Sequence, residues 1–241
     1  MNRTKSTFTG CILSLGLLLA AGQPAYATGG AWDASWAPSD WTRQSTPGSL
    51  YAEWNTFGPQ TPAPLPSLTN PDVANFGGGT YSLLETTGTA PILSNGNIHK
   101  SGAPGSSSPM AFDFTVGNVA GGSRDVYLRI GSLGAFDTTL NQSFTDFTLN
   151  GTAGTYQELF SAAAGGGSGS REVEALISWL NVPDTSSFLL KWNAVALNVS
   201  LDQLSLDVGP VAAVPLPAAA YLMASGLAGI AAMARRKQRA V

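Results

Sequence analysis

Apolar and polar residues alternate along much of the middle of the chain, with the period of two that marks a half-buried β-strand. The dipeptides Asn95-Gly96 and Asn150-Gly151 are typical of tight hairpin turns, because Asn and Gly tolerate a positive φ. The alternating segments are 80–84, 110–116, 126–130, 147–149, 188–192, 195–201 and 204–208. We expect the last three of these to form two or three strands. Many short strands at this spacing predict an all-β fold, an antiparallel sandwich.

One segment, 173–180, fits two periods. Its apolar residues lie at 173, 176, 177 and 180 for one face of a helix, and at 173, 175, 177 and 179 for a strand. Both flanks are strand-like and Pro183 soon ends the segment, so the strand is favoured over the helix.

Gly-rich and Pro-rich stretches divide the chain without separating it into domains. Segments 102–108 and 165–170 are expected to be surface loops, and 61–66 an extended connection. The residues before 61–66 lack a core of their own. We therefore predict one ectodomain over residues 28–211.

The charged residues are few and unevenly placed. Charged residues make up 11% of the chain and hydrophobic residues 44%, which is enough for a sizeable core. All 15 acidic residues lie between Asp33 and Asp207, where they meet only six of the 12 basic residues. A middle this acidic offers no basic patch to a phosphate backbone, so we expect no binding of nucleic acid.

The N-terminus has the three parts of a secretory signal peptide in order, which predicts a leader over residues 1–27, cleaved after Ala27. A membrane anchor is the alternative, and it is disfavoured because the apolar run is shorter than the roughly 20 residues of a span. The expected partners are the Sec translocon and signal peptidase. Removal of the leader takes Cys11 with it, so the mature chain has no disulfide and depends on its core. The three parts are the basic pair Arg3 and Lys5, the apolar run 11–21, and Ala25 with Ala27.

The C-terminus combines a Pro motif, a short apolar stretch and a basic cluster. Residues 218–234 would span about 25 Å as a helix, slightly less than a hydrocarbon core of about 30 Å. The basic cluster places the tail in the cytoplasm and the body outside. Taken alone, these features predict a single-pass anchor. The motif is Val214, Pro215, Leu216 and Pro217, and the cluster is Arg235, Arg236 and Lys237.

This arrangement, over residues 214–239 and together with a signal peptide, resembles the PEP-CTERM sorting signal of Gram-negative bacteria. The resemblance implies recognition by an exosortase in the inner membrane, cleavage near the Pro motif, and release or surface attachment of the body. Members of that family usually occur in organisms that make extracellular polysaccharide. The chain departs from the pattern at Leu216, where the family's motif has Glu.

A second resemblance covers most of the mature chain through short motifs. They are similar to a recurrent secreted β-sandwich ectodomain that carries the same sorting tail and generally has no assigned activity. The final strand looks like that of jelly-roll carbohydrate-binding modules, which implies a jelly-roll-like sandwich and a lectin-like alternative. The motifs are segments 41–57, 71–73, 96–98, 174–179 and 200–207.

Few residues offer catalytic chemistry. His99 is the only imidazole, and its polar neighbours predict a solvated loop histidine. No nucleophile elbow, phosphate-binding loop or zinc spacing occurs in the sequence. Paired carboxylates could serve a glycosidase, but sequence spacing pairs none of the glutamates. We therefore expect a protein that is not an enzyme.

Four tryptophans lie in a segment that is otherwise poor in large aliphatic residues: Trp32, Trp36, Trp41 and Trp54. Flat indole faces stack on sugar rings, so the first three are candidates for a sugar-binding platform. The alternative is that these rings cover one end of the sandwich as ordinary core, and this alternative is favoured.

Acidic residues near expected turns are candidate calcium ligands. Calcium takes about six to eight oxygens, and weak sites are common in extracellular modules. The candidates are Asp202 and Asp207, beside the expected closing strand, with Asp113 and Asp125 as further acids. The alternative is that these acidic residues simply belong to a soluble protein surface. We therefore expect no required cofactor, and calcium is the one metal that the sequence suggests.

Together these patterns predict an exported protein that is anchored transiently in the inner membrane and then displayed on the surface or released. We expect a structural or interaction role in an extracellular polysaccharide matrix or biofilm. A carbohydrate-binding module with a defined sugar site is the alternative.

Overall fold

The computed structural model describes residues 36–211, apart from 44, 102–107 and 165–169, and in addition residue 223. The signal peptide expected over 1–27 lies outside the described residues, and so does the sorting segment over 214–239 apart from Met223. Most of the two loops expected at 102–108 and 165–170 also lies outside them. Within the described part the protein is all-β.

Twelve strands are described in this part of the chain. In chain order they are β1 (Leu50–Trp54), β2 (Val73–Phe76), β3 (Thr80–Glu85), β4 (Ile98–His99), β5 (Ala111–Gly117), β6 (Arg124–Gly134), β7 (Phe144–Leu149), β8 (Thr152–Ala153), β9 (Thr155–Ala163), β10 (Arg171–Val182), β11 (Ser187–Ala194) and β12 (Val199–Pro210).

The strands form two antiparallel sheets. Sheet A has the order β2-β1-β12-β6-β10-β9, with β4 beside the first part of β12. Sheet B has the order β3-β5-β11-β7-β8. The long strand β12 pairs with β6 along one side and with β4 and then β1 along the other, so it is central in sheet A.

The two sheets pack face to face on one hydrophobic core. Aromatic rings from both sheets meet there: Trp54 of sheet A lies edge-on to Phe114 of sheet B, with ring centroids 5.5 Å apart. Within sheet B, Trp192 stacks on Phe112 at 5.2 Å. All four rings are at most 1% exposed. Burial of large rings dominates the energetics of such a core.

The alternating pattern located β3, β5, β6, β7 and β11 correctly. The segment with two periods is strand β10, so the helix alternative is wrong. Both predicted turns are present: Asn150 and Gly151 have φ values of 48° and 82° between β7 and β8, and the amide of Gly96 donates to the carbonyl of Leu93 at 2.9 Å. Local turn chemistry is therefore a reliable guide in this chain.

The end of the fold differs in detail from expectation. Residues 195–198, expected to be part of a strand, connect β11 to β12, and Asn198 in this connection has φ of 65°. Strand β12 is continuous but shifts register between Leu201 and Gln203. Such a β-bulge exchanges the faces of the side chains that follow it. As a result Leu201 and Leu204 both point into the core, and Asp202 lies at the bulge.

Candidate functional site

The outer face of sheet A carries the segment before β1, residues 36–49 without 44, which we call the N-terminal strap. Trp41 of the strap packs on Tyr127 of β6, with ring centroids 5.5 Å apart. It also lies against Gly209 of β12, where an added Cβ would stand 2.2 Å from the indole. Glycine at 209 therefore allows the ring to approach the strand, and Trp41 is only 6% exposed.

The three candidate platform tryptophans have different positions. Trp36 is partly buried and lies edge-on to Tyr127 at 6.0 Å. Trp41 is buried as described, and Trp32 lies outside the described residues. A sugar platform needs an open indole face, whereas Trp41 uses its rings in packing. Trp41 is thus buried on the outer face of sheet A and not in the core between the two sheets.

Arg43 of the strap binds Asp207 of β12 through two hydrogen bonds. Its Nε donates to Oδ1 at 2.5 Å and a terminal nitrogen donates to Oδ2 at 2.6 Å. The guanidinium also lies 3.8 Å from the ring centre of Tyr51. Burial raises the pKa of Asp207, while the charge and hydrogen bonds of Arg43 act in the opposite direction. The carboxylate is thus held by a cation of the same chain.

A second buried ion pair lies on the same face. Arg129 of β6 donates from Nε to Oε1 of Glu174 on β10 at 3.0 Å, and both side chains are almost fully buried. The ring of Trp36 covers Arg129, with 5.1 Å between the guanidinium carbon and the ring centre. Beside these pairs the hydroxyl of Tyr51 donates to the carboxylate of Glu53. Sheet A therefore has a layer of buried, partnered charges beneath the strap.

Asp202 lies at the bulge of β12 and is 1% exposed. Its Oδ1 accepts a hydrogen bond from the side-chain amide of Asn97 at 2.6 Å. Its Oδ2 has no hydrogen-bond partner among the described residues. Burial raises the pKa of Asp202 to about 7, a hydrogen bond from Ser200 lowers it, and the carboxylate of Glu172 raises it further.

Asp202 and Asp207 do not combine into one calcium site. They are five residues apart on one strand, which at about 3.3 Å per residue separates their backbones by about 16 Å. Calcium binds its oxygens at about 2.3–2.6 Å, so a single ion reaches only one of the two. Asp207 is also engaged by Arg43. Among the described residues, no group of three or more acidic, His or Cys side chains could hold a metal ion.

The environment of His99 corrects the expectation of a solvated loop. His99 lies in β4, where it pairs with Ser200 of β12, and it is half-buried. Its backbone amide donates to the carbonyl of Pro91 at 3.1 Å. Burial lowers the pKa of His99, so at neutral pH the imidazole is uncharged. Sequence reasoning missed this because the two-residue strand is created by β12, about 100 residues away.

A groove that the sequence did not suggest lies at one end of the sandwich, between the turn joining β7 to β8 and the connection from β10 to β11. Its volume is about 550 Å³. Its most exposed large apolar residue is Leu180, at 64% exposure. The Asn150-Gly151 dipeptide predicts the turn that forms one wall of the groove, but it does not indicate that a groove lies beside it. The opposite wall, residues 178–185, joins it through long-range pairing that sequence spacing does not reveal.

The residues of the expected processing sites lie outside the described residues. These are Ala25 and Ala27 of the leader, Val214, Pro215, Leu216 and Pro217 of the sorting motif, and Arg235, Arg236 and Lys237 of the basic cluster. Within the part of the chain that is described, no helix has both the length and the apolar character needed to cross a membrane.

Comparisons with family models, with curated proteins and with solved structures find no match to this chain.

Proposed function

We propose that this protein is an exported exosortase substrate of the PEP-CTERM type, with a jelly-roll-like body that serves in an extracellular or surface polysaccharide matrix. Signal peptidase removes residues 1–27, and an exosortase cuts near Pro215–Pro217 after transient anchoring in the inner membrane. The body then acts as a structural or interaction protein.

The observation that carries the proposal is the order of body and tail along the chain. Every strand in the described part of the chain lies between Leu50 and Pro210. Strand β12, which is central in sheet A, ends at Pro210, and the Pro motif begins only at Val214. A cut at the motif therefore removes no described strand and no described core residue, so the body can keep its fold after release.

The partners of the buried charges support a role without catalysis. A glycosidase needs two carboxyl groups that can reach a sugar. The carboxylates of Asp207 and Glu174 are instead bound by Arg43 and Arg129 beneath the strap. The single imidazole, that of His99, is half-buried in a strand. We assign these groups to the stability of sheet A.

The proposal is tested by expressing the full chain in Gram-negative cells with and without an exosortase. With the exosortase, the intact mass should correspond to a body that begins at Thr28 and lacks Arg235 to Val241. The Pro217→Ala variant should remain full-length from Thr28 in the inner membrane. The matched control Pro59→Ala changes an exposed proline of the body and should be processed normally.

Two outcomes contradict the proposal. If the same tail-bearing mass is found with and without the exosortase, the tail is a plain anchor. If the secreted protein begins at Met1, the leader is not a signal peptide.

A further inference from the structure

The walls of the groove at the end of the sandwich are fixed by hydrogen bonds. The indole nitrogen of Trp179 on β10 donates to the carbonyl of Thr152 on β8 at 2.9 Å. The side-chain oxygen of Asn150 accepts from the amide of Leu189 at 2.9 Å. On the other wall, the amide of Asn181 donates to Asp125 at 2.7 Å. The groove is therefore formed before any ligand arrives, as most small-ligand sites are.

The lining combines apolar and neutral polar side chains and is almost uncharged. Hydroxyl and amide side chains alternate with apolar surface from Leu180 and Pro183. Among the described residues that line the groove, none is Lys, Arg or His, and Asp184 is the single acid. The side chains of Thr152 and Thr155 are exposed at the groove.

We propose that this groove binds a neutral polysaccharide chain. A sugar ring presents hydroxyl groups at its edge and C–H groups on its faces, and the lining offers neutral hydrogen-bonding groups beside the apolar surface of Leu180 and Pro183. A polyuronate or a phosphate-bearing glycan would bring negative charge to a site that holds Asp184 and no cation, which is unfavourable. The inference rests on the proposed role in a polysaccharide matrix, and it names the class of glycan.

A peptide strand fits the groove less well. Strand addition needs a row of free backbone groups at a sheet edge. Strand β8 is only two residues long, and β10 is already paired on both sides by β6 and β9. The available groups are side chains, as for a glycan.

Binding at this site should be weak for one copy. The face of Trp179 is covered by Gly154, where an added Cβ would stand 2.7 Å from the indole, so no open ring is offered for stacking. Affinity then comes from Leu180 and the neutral polar groups. Retention in a matrix would depend on many copies bound to one long chain.

The test uses the full chain in detergent micelles, labelled at leucine methyl groups and observed by NMR. Leu149 and Leu180 line the groove, whereas the exposed Leu84 and Leu140 lie outside it. The probes are neutral oligosaccharides of glucose, mannose and galactose, alginate oligosaccharides, and a Thr/Val-rich strand peptide. At least one neutral oligosaccharide should shift Leu149 and Leu180 and leave Leu84 and Leu140 in place.

Substitutions then assign the binding to the groove. Leu180→Ser should weaken the neutral glycan at least fivefold with little effect on melting, since the side chain is already exposed. The matched control Leu140→Ser should leave binding unchanged. Asp184→Lys should raise the affinity for alginate oligosaccharides at least tenfold, because it reverses the charge of the groove.

Three results would overturn the inference: no neutral probe shifts the groove leucines, alginate or the peptide binds wild type as well as the neutral glycan does, or Leu180→Ser binds normally. Micelle-bound full-length protein needs no exosortase, so a failure here is distinct from a failure of sorting.

Discussion

The ion pairs on the outer faces of the two sheets differ in how far their side chains are exposed to solvent. On sheet B, Lys191 of β11 pairs with Asp113 of β5 at 3.0 Å, and the two side chains are 51% and 33% exposed. On sheet A, Arg43 pairs with Asp207 of β12, whose side chain is 1% exposed. Strand β11 alternates between buried and exposed positions, whereas β12 is buried at every position before Pro210.

This difference shows that the alternation of apolar and polar residues does not by itself indicate whether the polar face of a strand is exposed. In β12 the outward residues Gln203, Ser205 and Asp207 are polar, so the sequence reads as a half-exposed strand. All three are buried nonetheless, and each buried charge on this face needs a partner. Alternation therefore identified the strand and its inward face, but it did not reveal that the outward face is closed.

The largest expected effect comes from removing the strap's anchor. Trp41→Ala should lower the free energy of unfolding by about 3 to 5 kcal/mol, because a buried indole is lost and leaves a cavity. Gly209→Ala should also destabilise, since its Cβ cannot coexist with the present position of Trp41. Urea unfolding measures both. Unchanged stability in both variants would show that the strap does not pack as described.

The second largest loss of stability should come from breaking the buried ion pair of Arg43 and Asp207. Arg43→Met should cost about 3 kcal/mol at pH 8, at the low end for a broken buried pair because Arg43 keeps some exposure. Without Arg43 the buried carboxyl of Asp207 ionises at a higher pH in the folded state than in the unfolded state, so the loss should shrink as pH falls towards about 4 and be smallest below it. Urea unfolding at pH 8 and pH 3.5 checks this, and a loss that is independent of pH would contradict it.

A third experiment examines the bulge. The pKa of Asp202 is raised from 3.8 to about 7 in the folded state. The unfolded state then ionises first as pH rises, so wild type loses stability between about pH 4 and pH 7. Asp202→Asn lacks this loss and should exceed wild type by an amount on the order of 4 kcal/mol at pH 8, with no such gain at pH 3.5. Melting curves at both pH values decide it, and equal differences at both would count against the buried carboxyl.

The exposed pair should show the smallest effect. Lys191→Met on sheet B should change stability by less than about 1 kcal/mol, because solvent screens both partners. Thermal melting in low and high salt measures this effect. A loss as large as that of Arg43→Met would remove the contrast between the faces.

The sequence predicts the strands of this fold best where one face of a strand is exposed to solvent. The alternation of β5 and β11 and the Asn150-Gly151 turn are local signals that the structure retains. The alternating pattern does not predict strands β1, β2, β4, β8 and β9. Ala52 is a weak apolar signal in β1, and a register shift opposite β9 interrupts the pattern of that strand pair.

The buried ion pairs beneath the strap are harder to predict from the sequence, because the partners are far apart in the chain. Arg43 and Asp207 are separated by 164 residues, and Arg129 and Glu174 by 45. No local spacing marks such pairs. From the sequence alone Asp207 is a candidate calcium ligand and Trp41 a candidate for a sugar platform, whereas in the structure Asp207 pairs with Arg43 and Trp41 packs on Gly209.

A pair of double-mutant cycles tests the contrast between the sheets most directly. One cycle combines Arg43→Met with Asp207→Asn, and the other combines Lys191→Met with Asp113→Asn, all at pH 7 in the same buffer. The coupling energy should be about 2 to 3 kcal/mol for the buried pair and below about 1 kcal/mol for the exposed pair. Equal coupling energies in the two cycles would contradict the account, because they would mean that the closed face of sheet A gives its charges no stronger interaction than open solvent does.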